Sequence, residues 1–143
     1  MAARTCLFCE IVAARTEAER VFEDAASVAF LDHRPLFHGH VLLAPRAHHE
    51  TLLDLPDDVL PQLFVNARLL AGAVQGGMRA DGTFVAMNNR VSQSVPHLHV
   101  HIVPRRRGDG LRGFFWPRHP YRDTAHRAEV GAAIRQALDA LRA

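Results

Sequence analysis

Between Pro56 and Val74 the apolar residues Val59, Leu63, Phe64, Ala67, Leu70 and Val74 recur at three- and four-residue intervals. That is the period of a helix with one face turned to a core. Pro56 and Pro61 are confined to its start, where a missing N–H costs little. Val130, Ile134, Leu138 and Leu141 repeat the pattern and predict a C-terminal helix over Ala125 to Arg142. Cys6 to Ala14 suits a short helix near the start. Elsewhere the pattern is that of strands. "RVFEDAASVAFLD" supplies two β-rich pieces, Arg20 to Glu23 and Ser27 to Asp32, which Asp24, Ala25 and Ala26 join as a hairpin. Val41 to Ala44 is a short continuous apolar run ended by Pro45, as expected of a buried strand. "TFVAMN" follows the break "GGMRADGT" as a fourth strand, and His97 to Val103 follows the polar loop "NNRVSQS" as a fifth. Helices and strands do not alternate strictly, and the strands are short and hairpin-connected. The expectation is an α+β domain with an antiparallel five-stranded sheet, one long core helix and a C-terminal helix.

At 143 residues the chain suits a single domain, and 48% hydrophobic residues are enough for one core. The formal charge of +2 hides a local basic run at Arg105, Arg106 and Arg107, which favours small anionic ligands over a long nucleic-acid track. No stretch approaches a secretory signal core or a membrane span of roughly 20 apolar residues. A cytoplasmic protein without membrane partners is the expectation. Cys6 and Cys9, spaced CxxC, speak for a metal or redox role in a reducing compartment.

The fifth predicted strand carries the chemistry. Within "PHLHVHIVP", His97, His99 and His101 alternate with Leu98, Val100 and Ile102. Successive strand side chains point to opposite faces, so three imidazoles project together while the aliphatic residues face the core. Spacing of about 7 Å between their Cβ atoms lets neighbouring rings approach one phosphate or one metal, but not all in the same role. A metal site made by the row alone would ordinarily add a carboxylate, and the strand holds none.

The pattern "HLHVHIV" resembles the signature of the histidine triad (HIT) superfamily. "CLFCEIVA", "VAFLDHRPLFHGHVLLAPRAHHETLLDLP" and "NNRVSQSVPHLHVHIVPR" are similar, in order and spacing, to bacterial HIT proteins, over about residues 5 to 106. The resemblance implies a nucleotide hydrolase or transferase that cleaves a phosphoanhydride or phosphoramidate bond at a nucleoside α-phosphate through a covalent nucleotidyl-histidine. It implies His99 as the nucleophile and His101 as the group that contacts the phosphate and leaving group, where a protonated imidazole would stabilise developing charge or donate a proton. His40 matches a fourth family histidine beside the triad. Gln93 and Ser94 match the pair that directs donors at the α-phosphate, and Asn88 the asparagine preceding that loop. Asp32 matches the acid that accepts the ribose hydroxyls, while Phe8, Leu31 and His33 fall where the base pocket is lined. His33 replaces a commoner apolar residue, and the phosphate loop departs from the family in being shorter and free of glycine.

Structural zinc wants four ligands in a tetrahedron, so CxxC alone is half a site. The resemblance implies His48 and His97 as the other two, giving one structural zinc per chain on Cys6, Cys9, His48 and His97. Alternation along an extended segment favours His48 over its neighbour His49. Beyond the core, residues 107–143 form a connector and helix. The connector places Phe114, Phe115, Trp116 and Tyr121 among Arg112, Arg118 and Arg122, just after the basic run. Such a mixture suits a protein interface more than single-stranded nucleic acid. The resemblance implies a homodimer whose C-terminal segments approach the partner's nucleotide site, with Trp116 shaping specificity there. The expected ligand is a purine nucleotide or nucleotide conjugate. The competing readings are a dinucleoside polyphosphate phosphorylase and a zinc-stapled nucleotide-binding or sensing module without turnover.

Overall fold

In the computed structural model, which describes residues 5–112 and 118–143, five strands form one antiparallel sheet. They are β1 (Arg20–Glu23), β2 (Ser27–Leu31), β3 (Val41–Pro45), β4 (Gly82–Ala86) and β5 (Val100–Arg105), in the order β1-β2-β3-β5-β4. The helices are α1 (Leu7–Val12), α2 (Leu60–Gly77) and α3 (Thr124–Arg142). The chain divides into two compact units, residues 1–109 and 110–143. The sheet, α1 and α2 lie in the first. The second is built around α3, whose N-cap Asp123 accepts the His126 N–H at 2.7 Å through Oδ1. Phe114, Phe115 and Trp116, to which the sequence assigned an interface role, lie outside the described residues. Among the described residues no helix is long and apolar enough to cross a membrane.

Strand alternation divides the buried side chains of the first unit between two faces. Ala29, Val41, Leu43, Val100 and Ile102, with Leu98 just ahead of β5, pack with Leu63, Ala67, Leu70 and Val74 of α2. Val28, Phe30, Leu42 and Ala44 pack on the other face with Phe8 and Ile11 of α1. Strand β3 is therefore buried along its whole length, which is why it reads as an unbroken apolar run. A fully buried Leu or Ile stabilises the fold by about 1.5–3 kcal/mol. The α2 contact is thus the main energetic tie across the sheet. A polar network adds to it at one end, where buried Asn66 on α2 donates to Asp24 Oδ2 and Ser27 Oγ, each at 2.8 Å. Asp24 Oδ1 meanwhile accepts the Ala26 and Ser27 N–H groups, closing the β1–β2 hairpin turn.

Several boundaries differ from the sequence pattern. Helix α2 begins at Leu60, with Pro61 in its first turn and Pro56 outside, and continues past Val74 to Gly77. An unforeseen 3-10 turn at Leu52–Asp54 precedes it, held by reciprocal bonds between Thr51 and Asp54. The largest difference concerns the histidine segment. Ladder pairing starts at Val100, so His97, at a bend, and His99 stand ahead of β5 and only His101 lies within it. The backbone there is used differently: the Leu98 N–H bonds the His49 carbonyl at 2.6 Å, and His97 O serves a side chain. The alternation of faces survives, since Leu98 joins the core on the α2 side while His97 and His99 meet Phe8 on the other.

Gly39 sets the entry to β3 and hence the placement of His40. It has φ +94°, and an added Cβ would stand 2.5 Å from Met78 Cγ. Gly39→Ala is expected to cost about 2 kcal/mol, from the left-handed backbone and the overlap together. Urea titration of the variant checks this, and a midpoint equal to wild type would contradict the described turn.

Candidate functional site

Two backbone carbonyls decide the chemistry of the histidine segment. Buried His97 donates its Nε2–H to the Pro45 carbonyl at 2.8 Å, and His99 donates its Nδ1–H to the His97 carbonyl, also at 2.8 Å. A carbonyl only accepts, so each bond fixes one tautomer. His97 is left with a lone pair on Nδ1 and His99 with one on Nε2. The neighbouring rings thus present opposite nitrogens for different work.

The Nδ1 of His97 lies 3.4 Å from Cys6 Sγ and 3.6 Å from Cys9 Sγ, and His48 Nδ1 is 3.4 Å from Cys9 Sγ. One ligand atom from each of the four residues falls within 4.8 Å of all the others. Tetrahedral zinc with Zn–S near 2.3 Å and Zn–N near 2.05 Å has S···N edges of about 3.6 Å. The donor set, two thiols and two imidazoles, and its spacing therefore fit such an ion, and His48 rather than His49 completes the group. Burial, followed by the adjacent Cys6 sulfur, pushes the Cys9 thiol up. A bound cation would reverse that by favouring the thiolates. Helix α1 presents the sulfurs because Cys6 is its N-cap, with Sγ accepting the Cys9 N–H at 3.5 Å.

On the other side of the segment a cavity of about 620 Å³ is lined by His99, His101, Ser94, Asp32, Leu31 and His33. Phe8, Leu7, Ile11 and Phe30 make its apolar end, and Thr16, Glu17 and Glu19 edge it. Phe8 stands edge-on to His99 with ring centroids 4.9 Å apart. His99 and His101 are also edge-on, at 4.9 Å.

His40 does not line the cavity; it is buried behind His101. The register that pairs Leu42 with His101 brings it there. The Leu36 N–H donates to His40 Nδ1 at 3.1 Å, so the proton sits on Nε2, which is 3.0 Å from His101 Nδ1. His40 therefore donates to His101, leaving His101 with its own proton on Nε2. Asp32 Oδ2 stands 3.7 Å from His40 Nδ1. That atom already accepts from Leu36, so the contact is a charge beside a neutral ring rather than an ion pair. Asp32, His40 and His101 also bring ligand atoms within 4.8 Å, but both His40 nitrogens are engaged in the relay.

Burial pushes His40 and His99 below the ordinary imidazole range, while the Asp32 charge pulls the other way. His101 is pushed down to about 4, by burial first and then by its neighbours His99 and His40. All three rings are therefore neutral near pH 7.

The phosphate-loop residues are divided. Ser94 lines the cavity, whereas Gln93 and Asn88 brace the loop itself. Gln93 Nε2 donates to the Glu50 carbonyl at 2.6 Å, its Oε1 accepts the Arg90 N–H at 2.9 Å, and Asn88 Nδ2 donates to Ser92 O at 3.2 Å. These braces hold Arg90 and Ser92 at φ +70° and +62°, conformations a glycine would adopt without cost. Asn89, which the sequence reading passed over, ties the loop to Leu52 N–H at 2.7 Å. That partner lies 37 residues away, so no local pattern signalled it. Val95, also on the cavity wall, carried no signal apart from its neighbours.

The chain is similar to known proteins over most of its length. The HIT domain family matches residues 13–108. An uncharacterized HIT-like protein of Mycobacterium tuberculosis is 35% identical over 138 residues, covering 93% of this chain and 92% of the relative. An adenosine 5'-monophosphoramidase of Saccharomyces cerevisiae is 36% identical over 103 residues, covering 71% of this chain and 63% of the yeast protein. The crystal structure of a zinc-bound histidine triad family protein from Mycobacterium smegmatis superposes with a TM-score of 0.72 at 34% identity, covering 90% of this chain and 97% of that one. By the domain match over most of its length and by its relatives, the chain belongs to the histidine triad (HIT) family.

Proposed function

We propose that this chain transfers or hydrolyses nucleoside monophosphate groups through a covalent nucleotidyl-His99, with a structural zinc held by Cys6, Cys9, His48 and His97. The observation that carries the reading is the bond from His99 Nδ1–H to the His97 carbonyl. It leaves the lone pair on Nε2 of a neutral imidazole that lines a nucleotide-sized cavity. The yeast relative named as a monophosphoramidase makes a purine nucleotide conjugate the favoured substrate class.

In this mechanism His99 Nε2 attacks the α-phosphorus, and the bond to the leaving group breaks with its electron pair going to that group. The neutral His101 Nε2–H, held by the His40 relay, donates to the phosphoryl oxygen or the departing atom. Water then attacks the nucleotidyl-histidine, releasing nucleoside monophosphate and restoring His99. Phe8, Leu31 and His33 surround the base, Asp32 accepts the ribose hydroxyls, and Ser94 meets the phosphate. Gln93 and Asn88 act by holding the loop that presents Ser94. A zinc held by Cys6, Cys9, His48 and His97 would have all four positions filled by the chain and would serve as a structural staple. Exposed Phe64, Leu69 and Val85 on α2 and edge strand β4 support self-association as a homodimer.

Turnover of a panel of adenosine and guanosine phosphoramidates and dinucleoside polyphosphates, with and without inorganic phosphate, tests the reaction and its acceptor. Release of nucleoside monophosphate by wild type, lost at least a hundredfold in His99→Gly with nucleotide binding retained, is expected. Equal turnover by the variant would refute the mechanism, and binding without cleavage across the panel would favour the sensing module. Because His99 must be unprotonated and burial holds it below the ordinary value, kcat/KM is expected to hold through neutral pH, with its acid limb centred below the ordinary imidazole value of about 6.5. It should fall only on further acidification, and an acid limb centred at or above 6.5 would contradict the assignment. Elemental analysis of protein purified without chelators should find about one zinc per chain, reduced to well under half in Cys9→Ser. No metal in the wild type would remove zinc from the account.

A further inference from the structure

The metal donors and the nucleotide cavity share parts of the chain. His97 is the first shared part: its ring nitrogen stands among the donors, while its carbonyl holds the His99 ring. The two roles are separated only by the bonds of one residue. Any turn of the His97 backbone that follows loss of a partner for Nδ1 moves the acceptor that orients His99.

Phe8 is the second. It lies between Cys6 and Cys9 on α1, a helix of six residues, too short to persist without tertiary anchors. Its ring meets His99 at 4.9 Å, Phe30 at 5.2 Å and His97 at 5.9 Å, so one aromatic side chain touches the donor side and the cavity side together. The same helix contributes Ile11 to the apolar end of the cavity.

From these two links we infer that Phe8 and His97 are positioning residues through which the metal centre orients the nucleophile and the base wall, so that metal and nucleotide bind cooperatively. The inference rests on the nucleotide reading above. A metal that only stapled the fold would raise stability without changing nucleotide affinity in the folded chain. A metal that orders α1 and the His97 backbone spares the nucleotide part of that ordering cost. Linkage then requires the nucleotide to tighten the metal by the same factor.

The test uses the full chain and adenosine 5'-monophosphate. Zinc affinity is measured by competition with a chromophoric chelator, with and without saturating nucleotide, and nucleotide affinity is measured with and without zinc. About a tenfold mutual tightening is expected, equal in both directions. In the cobalt-substituted chain, nucleotide should also shift the ligand-field bands, a signature that does not depend on whether the metal-free chain stays folded. Phe8→Leu, which keeps all four donors, should still bind one metal but lose most of the tightening. Nucleotide binding with zinc affinity unchanged within twofold and cobalt bands unmoved would overturn the inference and leave the nucleotide reading intact. Full coupling in Phe8→Leu would overturn the role of Phe8. Failure of nucleotide to bind either form would overturn both the inference and the reading beneath it.

Discussion

Two carbonyl oxygens, those of Pro45 and His97, organise everything else in this molecule. Each accepts one imidazole N–H at 2.8 Å, and each thereby decides which nitrogen of that ring keeps a lone pair. A carbonyl can fix a tautomer in this way only if its own position is fixed. Pro45 ends β3, which is buried on both faces between α1 and α2, and His97 is anchored by the bond to Pro45. The packing of the sheet is thus converted into the orientation of the His99 ring, with its lone pair on Nε2. Neutral rings are essential to the arrangement, and burial supplies that condition by disfavouring the imidazolium.

The same alternation that divides the core between two faces divides the histidines from the aliphatic residues. Leu98, Val100 and Ile102 are fully buried against α2, while the interleaved imidazoles turn to the α1 side. There they meet two environments in succession, sulfur at His97 and a cavity at His99 and His101. His40 arrives from the end of a different loop, through Gly39 and the β3–β5 register, and completes a relay that begins at a backbone N–H. A row of chemically identical side chains acquires distinct roles because each ring has a different hydrogen-bond partner.

Much of this was legible in the sequence. The period-two pattern put the three histidines on one side, and the helical stripe over Val59 to Val74 located the element that covers the opposite side. The half-site CxxC demanded two further donors, and the family resemblance pointed to His48 and His97, which the fold brings within reach of the sulfurs. Other features depend on long-range pairing that residue patterns do not encode. The start of the ladder at Val100 reflects the bond from the Leu98 N–H to the His49 carbonyl and the use of the His97 carbonyl by the His99 side chain, and a strand-like run looks alike in sequence whether or not it is paired. Gln93 reads as a phosphate contact, yet its amide reaches the Glu50 carbonyl, a partner 43 residues away. Tautomers are likewise invisible in a string of residue names, because they are set by acceptors the fold delivers.

The central claim is therefore best tested on the protons themselves. Nitrogen-15 spectra of the histidine side chains in the zinc-loaded chain at pH 7 distinguish the two neutral tautomers of each ring. The account predicts a neutral His99 with its proton on Nδ1 and a neutral His101 with its proton on Nε2. A proton on His99 Nε2, or an imidazolium at that position, would contradict it.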